Sequence, residues 1–325
     1  MTKFLALRIL KLLVLLATVS AISFTLLSFS PVDPVRAYVG ADMMRVTPEQ
    51  RAAIAERWGV GRPPAERFLK WASRLVQGDL GTSLIYRQPV AKVIAERFAA
   101  SLLLMMSAWL LTGVFGYLFG VVSGTLEGSW IDKSIQLYAF TLASMPTFWL
   151  ALLMLMVFSV WLGWTPVGLA VPAGVLEADV TWADRLHHLI LPAITLGVIG
   201  IANVTLHTRQ KLIDVKRSDY FLFGIARGQS RWRAVMRHGL RNTALPAVTL
   251  QFALFSEIFG GAVLAEQVFA YPGLGRTTVL AGLRGDVPLL LGIVLFSTVF
   301  VFVGNTTADV IYRLVDPKIR LTGRL

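Results

Sequence analysis

The sequence predicts an all-α polytopic membrane protein with six transmembrane helices and both termini in the cytoplasm. Three observations carry that reading. Of the 325 residues, 55% are hydrophobic and only 15% charged, with a mean hydropathy of +0.65, values outside the range of soluble domains. The charged residues are gathered between long apolar runs rather than spread along the chain. The stretch from Arg209 to Leu245 holds nine Lys or Arg, so by the positive-inside rule it lies in the cytoplasm and orients everything around it.

A net charge of +12 suggests nucleic acid in a soluble protein. Here the basic residues lie outside the apolar runs, with no basic and aromatic strand pattern, so topology accounts for the charge and no nucleic-acid partner is expected. The chain has no cysteine, which excludes a disulfide framework, a thiol nucleophile and a cysteine metal site.

Residues 1–32 form the first transmembrane helix. Lys3, Arg8 and Lys11 precede an uncharged run from Leu12 to Val32, longer than the apolar centre of a secretory signal, so the helix is retained and starts in the cytoplasm. Residues 33–97 form an extracytoplasmic helical cap with eleven Lys or Arg and seven Asp or Glu. Thr47-Pro48-Glu49-Gln50 reads as a capped helix start with proline at the first position, so a helix runs to about Trp58 and stops at Gly59. A second follows Pro63-Pro64, with Phe68, Leu69, Ala72, Leu75 and Val76 on one face, and stops at Gly78. A third starts at Pro89 and runs straight into the next span.

Residues 98–312 form the core, with spans at about 98–126, 134–161, 187–208, 246–269 and 287–308. In the first of these, Gly116, Gly120 and Gly124 stand four apart and make a smooth strip for close approach of another helix. Glu127, Asp132 and Lys133 then form a short cytoplasmic turn. Ser134 to Leu176 is uncharged for 43 residues, room for one span or for two with a turn near Trp164-Thr165-Pro166. Two spans put the basic loop outside, against the charge rule, so one span is expected. His187-His188 are adjacent, point in different directions on a helix, and read as interfacial residues rather than a metal pair. Glu257 lies near the middle of an apolar span, where a carboxylate faces a wet path or a partner helix. Asn305 and Asp309 stand one turn apart near the inner end of the last span, and residues 313–325 are a cytoplasmic tail.

The loop 209–245 carries the sharpest local pattern. Ser218 caps a short helix with Tyr220, Phe221, Phe223 and Ile225, and Gly228 closes it, because a left-handed residue is nearly free of strain only as glycine. Ser230 caps a second helix. On it Arg233, Arg237 and Arg241 recur every fourth residue, while Trp232, Val235, Met236 and Leu240 recur on another face. Two short helices joined at a glycine, one face apolar and one basic, suit docking of another protein. By composition alone the same stretch is an ordinary positive-inside loop.

Asp219, Ala226-Arg227-Gly228, Arg237-His238, Arg241-Asn242 and Leu245-Pro246 resemble the cytoplasmic signature loop of ATP-binding-cassette importer permeases, in the dipeptide, oligopeptide and nickel branch. One departure is visible: the acid of other branches falls at Leu222, and its two alanines at Phe223 and Gly224. Further stretches similar to this branch are Asp33-Pro34, Gly78-Asp79-Leu80-Gly81-Thr82-Ser83, Arg87-Gln88-Pro89-Val90 and Ser144-Met145-Pro146-Thr147-Phe148-Trp149-Leu150. Glu266 to Gly275 and Asp316-Pro317-Lys318-Ile319-Arg320 complete the series.

The resemblance implies a type I importer permease fold in a bacterial inner membrane. The implied partners are a second, homologous permease forming a heterodimer, two ATPase subunits and an extracytoplasmic solute-binding protein. Asp219, Ala226, Arg227, Gly228, Arg233 and Arg237 are then ATPase-coupling residues; Glu257, Asn305 and Asp309, by their own place in the spans rather than by the resemblance, are expected to line the translocation path. The chain lacks Gly-x-x-x-x-Gly-Lys-[Ser/Thr], so it is not itself an enzyme and carries no cofactor; ATP and Mg belong to the ATPase subunits. The expected cargo is a peptide, with nickel or a metal chelate as the alternative. A different class, a proton-coupled secondary transporter using Glu257, requires internal symmetry that the sequence does not show.

Overall fold

Backbone polar groups in hydrocarbon must be satisfied within their own segment, so a chain of this composition folds as helices. The computed structural model of the chain describes residues 2–28, 47–49, 63–175 and 179–315, and among them the regular structure is helical apart from an isolated bridge between Thr82 and Pro89. The helices begin with α1 (Thr2–Ser28), α2 (Pro64–Val76), α3 (Val90–Thr125), α4 (Trp130–Ala143) and α5 (Thr147–Met154), which continues as a π-helical segment Leu155–Trp161. They continue with α6 (Trp182–Lys216), α7 (Asp219–Ala226), α8 (Arg231–Ala234), a π-helical turn Val235–Gly239, and α9 (Leu240–Ala253). The last three are α10 (Phe255–Val268), α11 (Leu274–Arg284) and α12 (Val287–Val315). The expected helix beyond Glu49, Asp33-Pro34 and the Asp316 to Arg320 ending lie outside the described residues.

Among the described residues, α1, α3, α6 and α12 are long and apolar enough to cross a membrane alone. Two further candidate crossings are helix pairs bent at a short break. The expected straight span 134–161 is instead α4 and α5, bent by 110° around Ser144 to Pro146. Proline has no N–H and pushes the residue before it out of the helical region, so the helix stops there. The 14 residues of α4 reach only about 21 Å, short of the ~30 Å of hydrocarbon, so neither half crosses alone. The expected span 246–269 is likewise α9 and α10, which meet at Leu254 and belong to a pair bent by 49°. Counting each bent pair as one span makes six.

The chain divides into two compact units, residues 1–100 with 273–302 and residues 101–272 with 303–325. In the first, Val90, Val93 and Ile94 pack against Leu274, Ala281, Leu289 and Ile293. Phe98 stands edge-on to Phe296 and Phe300 at 4.7 and 4.9 Å between centroids. Asp286, fully buried, caps α12 through the Leu289 N–H at 3.1 Å and accepts from Ser83 Oγ at 2.6 Å and Ile85 N at 3.0 Å. On α2 the expected apolar face is shifted: Phe68 and Trp71 meet Phe24, while Leu69 and Val76 are exposed. Gly78 closes α2 at φ +81, as expected.

The second unit is built around α6, whose most apolar stretch is 67% buried. Thr181 and Asp184 cap each other's backbone at its start, and it runs unbroken well past the expected limits 187–208. The glycine strip of α3 receives it. A Cβ on Gly116 would lie 2.7 Å from Val204 Cβ, one on Gly120 2.5 Å from Thr208 Cβ, and one on Gly124 3.0 Å from the Arg209 carbonyl. Gly120→Val is therefore expected to destabilise the protein by about 1–3 kcal/mol through overpacking of this seam. Thermal unfolding in detergent reads the change; an unaltered midpoint would remove the α3 and α6 contact from the description.

Candidate functional site

Residues 209–245 hold the site. The chain leaves α6 at Arg217, turns through Ser218 and enters α7. Ser218 occupies the capping position by backbone, but its hydroxyl donates to the Val215 carbonyl at 2.5 Å and does not cap α7, a correction to the sequence reading. The close of α7 is as expected. Gly228 sits at φ +84, its N–H bonds the Ile225 carbonyl, and the Gln229 N–H reaches back to Gly224, the pair of bonds that satisfies a helix end. Ser230 then accepts from the Arg233 N–H at 3.4 Å at the start of α8.

The second helix does not end at Leu245. It continues through the π-helical turn Val235–Gly239 into α9, so the elbow is continuous with a membrane-crossing segment. The π-turn adds residues per turn and breaks the four-residue register of Arg233, Arg237 and Arg241. It also divides the expected apolar face. Val235 is buried, whereas Trp232 and Met236 are exposed.

Two surfaces result. Inward, Phe221, Ala234 and Val235 pack with Leu212 and Val215 of α6, and Gly239 lets Leu212 close in, since a Cβ there would stand 2.8 Å from Leu212 Cδ1. Outward, Tyr220, Leu222, Phe223, Trp232 and Met236 are exposed among Arg227, Arg231, Arg233 and Arg237. The Arg227 guanidinium lies 5.7 Å from the Phe223 ring centroid. Of the residues singled out from sequence, Asp219, Ala226, Arg227, Gly228, Arg233 and Arg237 are all exposed on this elbow.

Charge pairs that the sequence reading missed tie the base of the elbow to the turn between α3 and α4. Lys216 Nζ reaches Glu127 at 3.0 Å and the Gly124 carbonyl at 2.9 Å, and Arg217 reaches Glu127 at 3.2 Å. The Lys216 ammonium holds the Glu127 carboxyl below the usual carboxylate range. A lowered value means that this contact is complete above the ordinary carboxylate pKa and is lost as pH falls through the lowered one. Arg209 grips Asp132 with both ends, Nε to Oδ1 at 2.7 Å and Nη2 to Oδ2 at 2.8 Å. Ser123 Oγ and the Gly128 N–H complete the Asp132 shell, and its side chain is 1% exposed. Tyr117 Oη donates to the Leu240 carbonyl at 3.0 Å.

The second group of candidates lies around the α9 and α10 bend. Ser256 Oγ donates to Asn305 Oδ1 at 2.6 Å, joining α10 to α12. Glu257 follows in the first turn of α10 and is exposed, and Asp309 is half-buried one turn beyond Asn305. Glu266, by contrast, is fully buried and accepts from Ser101 at 2.5 Å. His187 and His188 bond separate carbonyls, those of Trp164 and Gly168. Among the described residues no group of three or more metal-ligating side chains converges.

Two family descriptions match the chain. Residues 116–321 match the binding-protein-dependent transport system inner membrane component, and residues 1–105 the N-terminal region of such membrane components. The oligopeptide transport system permease protein AppB of Bacillus subtilis is 35% identical over 306 residues, 94% of this chain and 95% of that one. The di/tripeptide transport system permease protein DppB of Pseudomonas aeruginosa is 35% identical over 318 residues, 93% and 94% of the two chains. The glutathione transport system permease protein GsiC of Escherichia coli is 35% identical over 318 residues, 96% and 97%.

Proposed function

This chain belongs to the binding-protein-dependent transport system inner membrane components, and from that premise we propose that it forms half of the translocation path of an ATP-driven peptide importer. Peptide cargo is supported by the names of the similar permeases, which act on oligopeptides, di- and tripeptides and glutathione. The family works with a binding protein, an ATPase and permease partners. In the proposed assembly this chain pairs with a second permease, two ATPases dock beneath them, and both its termini are cytoplasmic.

The observation that carries the mechanism is the exposed aromatic and basic face of the elbow, held on α6 by Phe221, Ala234 and Val235 and continuous with α9. Large rings and arginines in one patch have the composition of a docking surface. Closure of the ATPases pushes on Asp219, Ala226, Arg227, Gly228, Arg233 and Arg237. The elbow passes the displacement in two directions, back through α6 and forward through the π-turn into α9. Glu257, Asn305 and Asp309 then line the path whose access alternates. The ATPases drive the exchange because their affinity for the inward and outward states differs.

The test is reconstitution of the chain with its partner permease, ATPases and binding protein in liposomes. Vanadate-sensitive ATP hydrolysis, stimulated by peptide-loaded binding protein and accompanied by peptide uptake, is the expected result. Uptake driven by a proton gradient through this chain alone would reverse the reading.

A further inference from the structure

Along α10 the exposed residues are Glu257, Gly260, Leu264 and Gln267, in steps of three, four and three. That spacing places them on one face of α10, while Ile258, Ala262, Ala265 and Glu266 are buried on the others. A face that meets lipid is built of large apolar side chains, and a carboxylate against acyl chains is strongly disfavoured. This face carries one large apolar side chain, Leu264, and beside it a carboxylate, a primary amide and a glycine. Beside the carboxylate there is room: a Cβ at Gly260, three residues on, would meet no atom within 4 Å. The Ser256 bond to Asn305 fixes the start of α10 immediately next to Glu257. Among the described residues no cation pairs with Glu257.

An open carboxylate on a polar, small-residue wall within a membrane helix suits a cationic group that passes along it. Peptides differ in every side chain but share a terminal ammonium, charged over most of the neutral range. We infer that Glu257 binds the ammonium of the peptide during passage, and that the stripe Glu257, Gly260, Leu264 and Gln267 is the wall against which the cargo moves. The inference rests on the reading of this chain as a peptide permease. Gly260 leaves the space that the cargo backbone fills, and Gln267 offers a neutral hydrogen-bonding group further along the same face.

The experiment uses the full complex in liposomes, with the wild-type chain, Glu257→Gln and Glu257→Asp, and compares uptake of Ala-Ala and Lys-Lys. Each variant is expressed as a ratio to wild type for the same peptide, which cancels the binding protein's own preference. Glu257→Gln is expected to reduce uptake of both peptides about fivefold, while Glu257→Asp keeps at least half. Loss confined to Lys-Lys, which would place the contact on side chains, or no loss for either peptide, overturns the inference. So does loosening of the permease pair in Glu257→Gln on size-exclusion chromatography, since Glu257 then pairs with a cation of the second permease. Failure of the wild-type complex to carry either peptide would instead overturn the peptide reading itself.

Discussion

Asp132→Ala is expected to cost about 3–5 kcal/mol, the usual loss on breaking a buried ion pair. The Asp132 side chain is 1% exposed and accepts from Arg209 twice, from Ser123 and from the Gly128 N–H, so its removal strands three donor groups at once. Arg209→Ala leaves the opposite fault, a buried carboxylate with two of its four bonds gone. Removing both partners leaves neither an unpaired anion nor an unpaired guanidinium. The double variant is thus expected to lie close to the milder single variant, far from the sum of the two. Thermal or denaturant unfolding of the purified complex gives the cycle. Costs that simply add would show that the two residues stabilise the fold independently, and near-zero single costs would show that the pair is not buried.

The consequence reaches beyond stability. Asp132 and Glu127 hold the α3 and α4 turn on the last two turns of α6, the same turns that lead into the elbow. The glycine strip of α3 seats the same helix higher up. The α3 and α4 turn and the end of α6 are therefore held to one another beside the elbow.

What was legible in the sequence was local. The elbow is specified by residues a few positions apart: Ser230 as a cap, Gly228 as a left-handed closure, and aromatic residues on either side of them. Its boundaries follow closely, and so does the closure of α2 at Gly78. The glycines at 116, 120 and 124 announced a close approach without naming α6 as the visitor. Four features were hidden for physical reasons. The π-turn at Val235–Gly239 carries no residue signature, so a four-residue arginine stripe looked sound. Leu254 sits in the apolar stretch from Phe252 to Phe255, and the bend there involves no proline at that point, Pro246 being tolerated inside α9. Pro146 was visible, but with no charge from Ser134 to Leu176 nothing marked it as a break. Asp132 and Arg209 are 77 residues apart, and a pair at that distance is set by helix packing alone.

Gly228→Asp is expected to reduce peptide-stimulated ATP hydrolysis about tenfold while insertion and pairing with the second permease persist. Gly228→Asn is expected to keep most of it. Gly228 holds φ +84, a region that Asn and Asp enter more readily than other side chains, so backbone strain is similar in the two variants. Space does not separate them either, because a Cβ at this position meets no atom of the chain within 4 Å. Within the chain itself an added carboxylate beside Arg227 and Arg231 is, if anything, favourable. Any large difference between Asp and Asn must therefore arise on a surface supplied by another protein, one that the exposed arginines require to be acidic. Stimulated hydrolysis in liposomes and co-purification of the ATPase measure the two steps separately. Equal coupling by the Asp and Asn variants would remove the charged contact at the turn, and with it the elbow as the place where the ATPase grips.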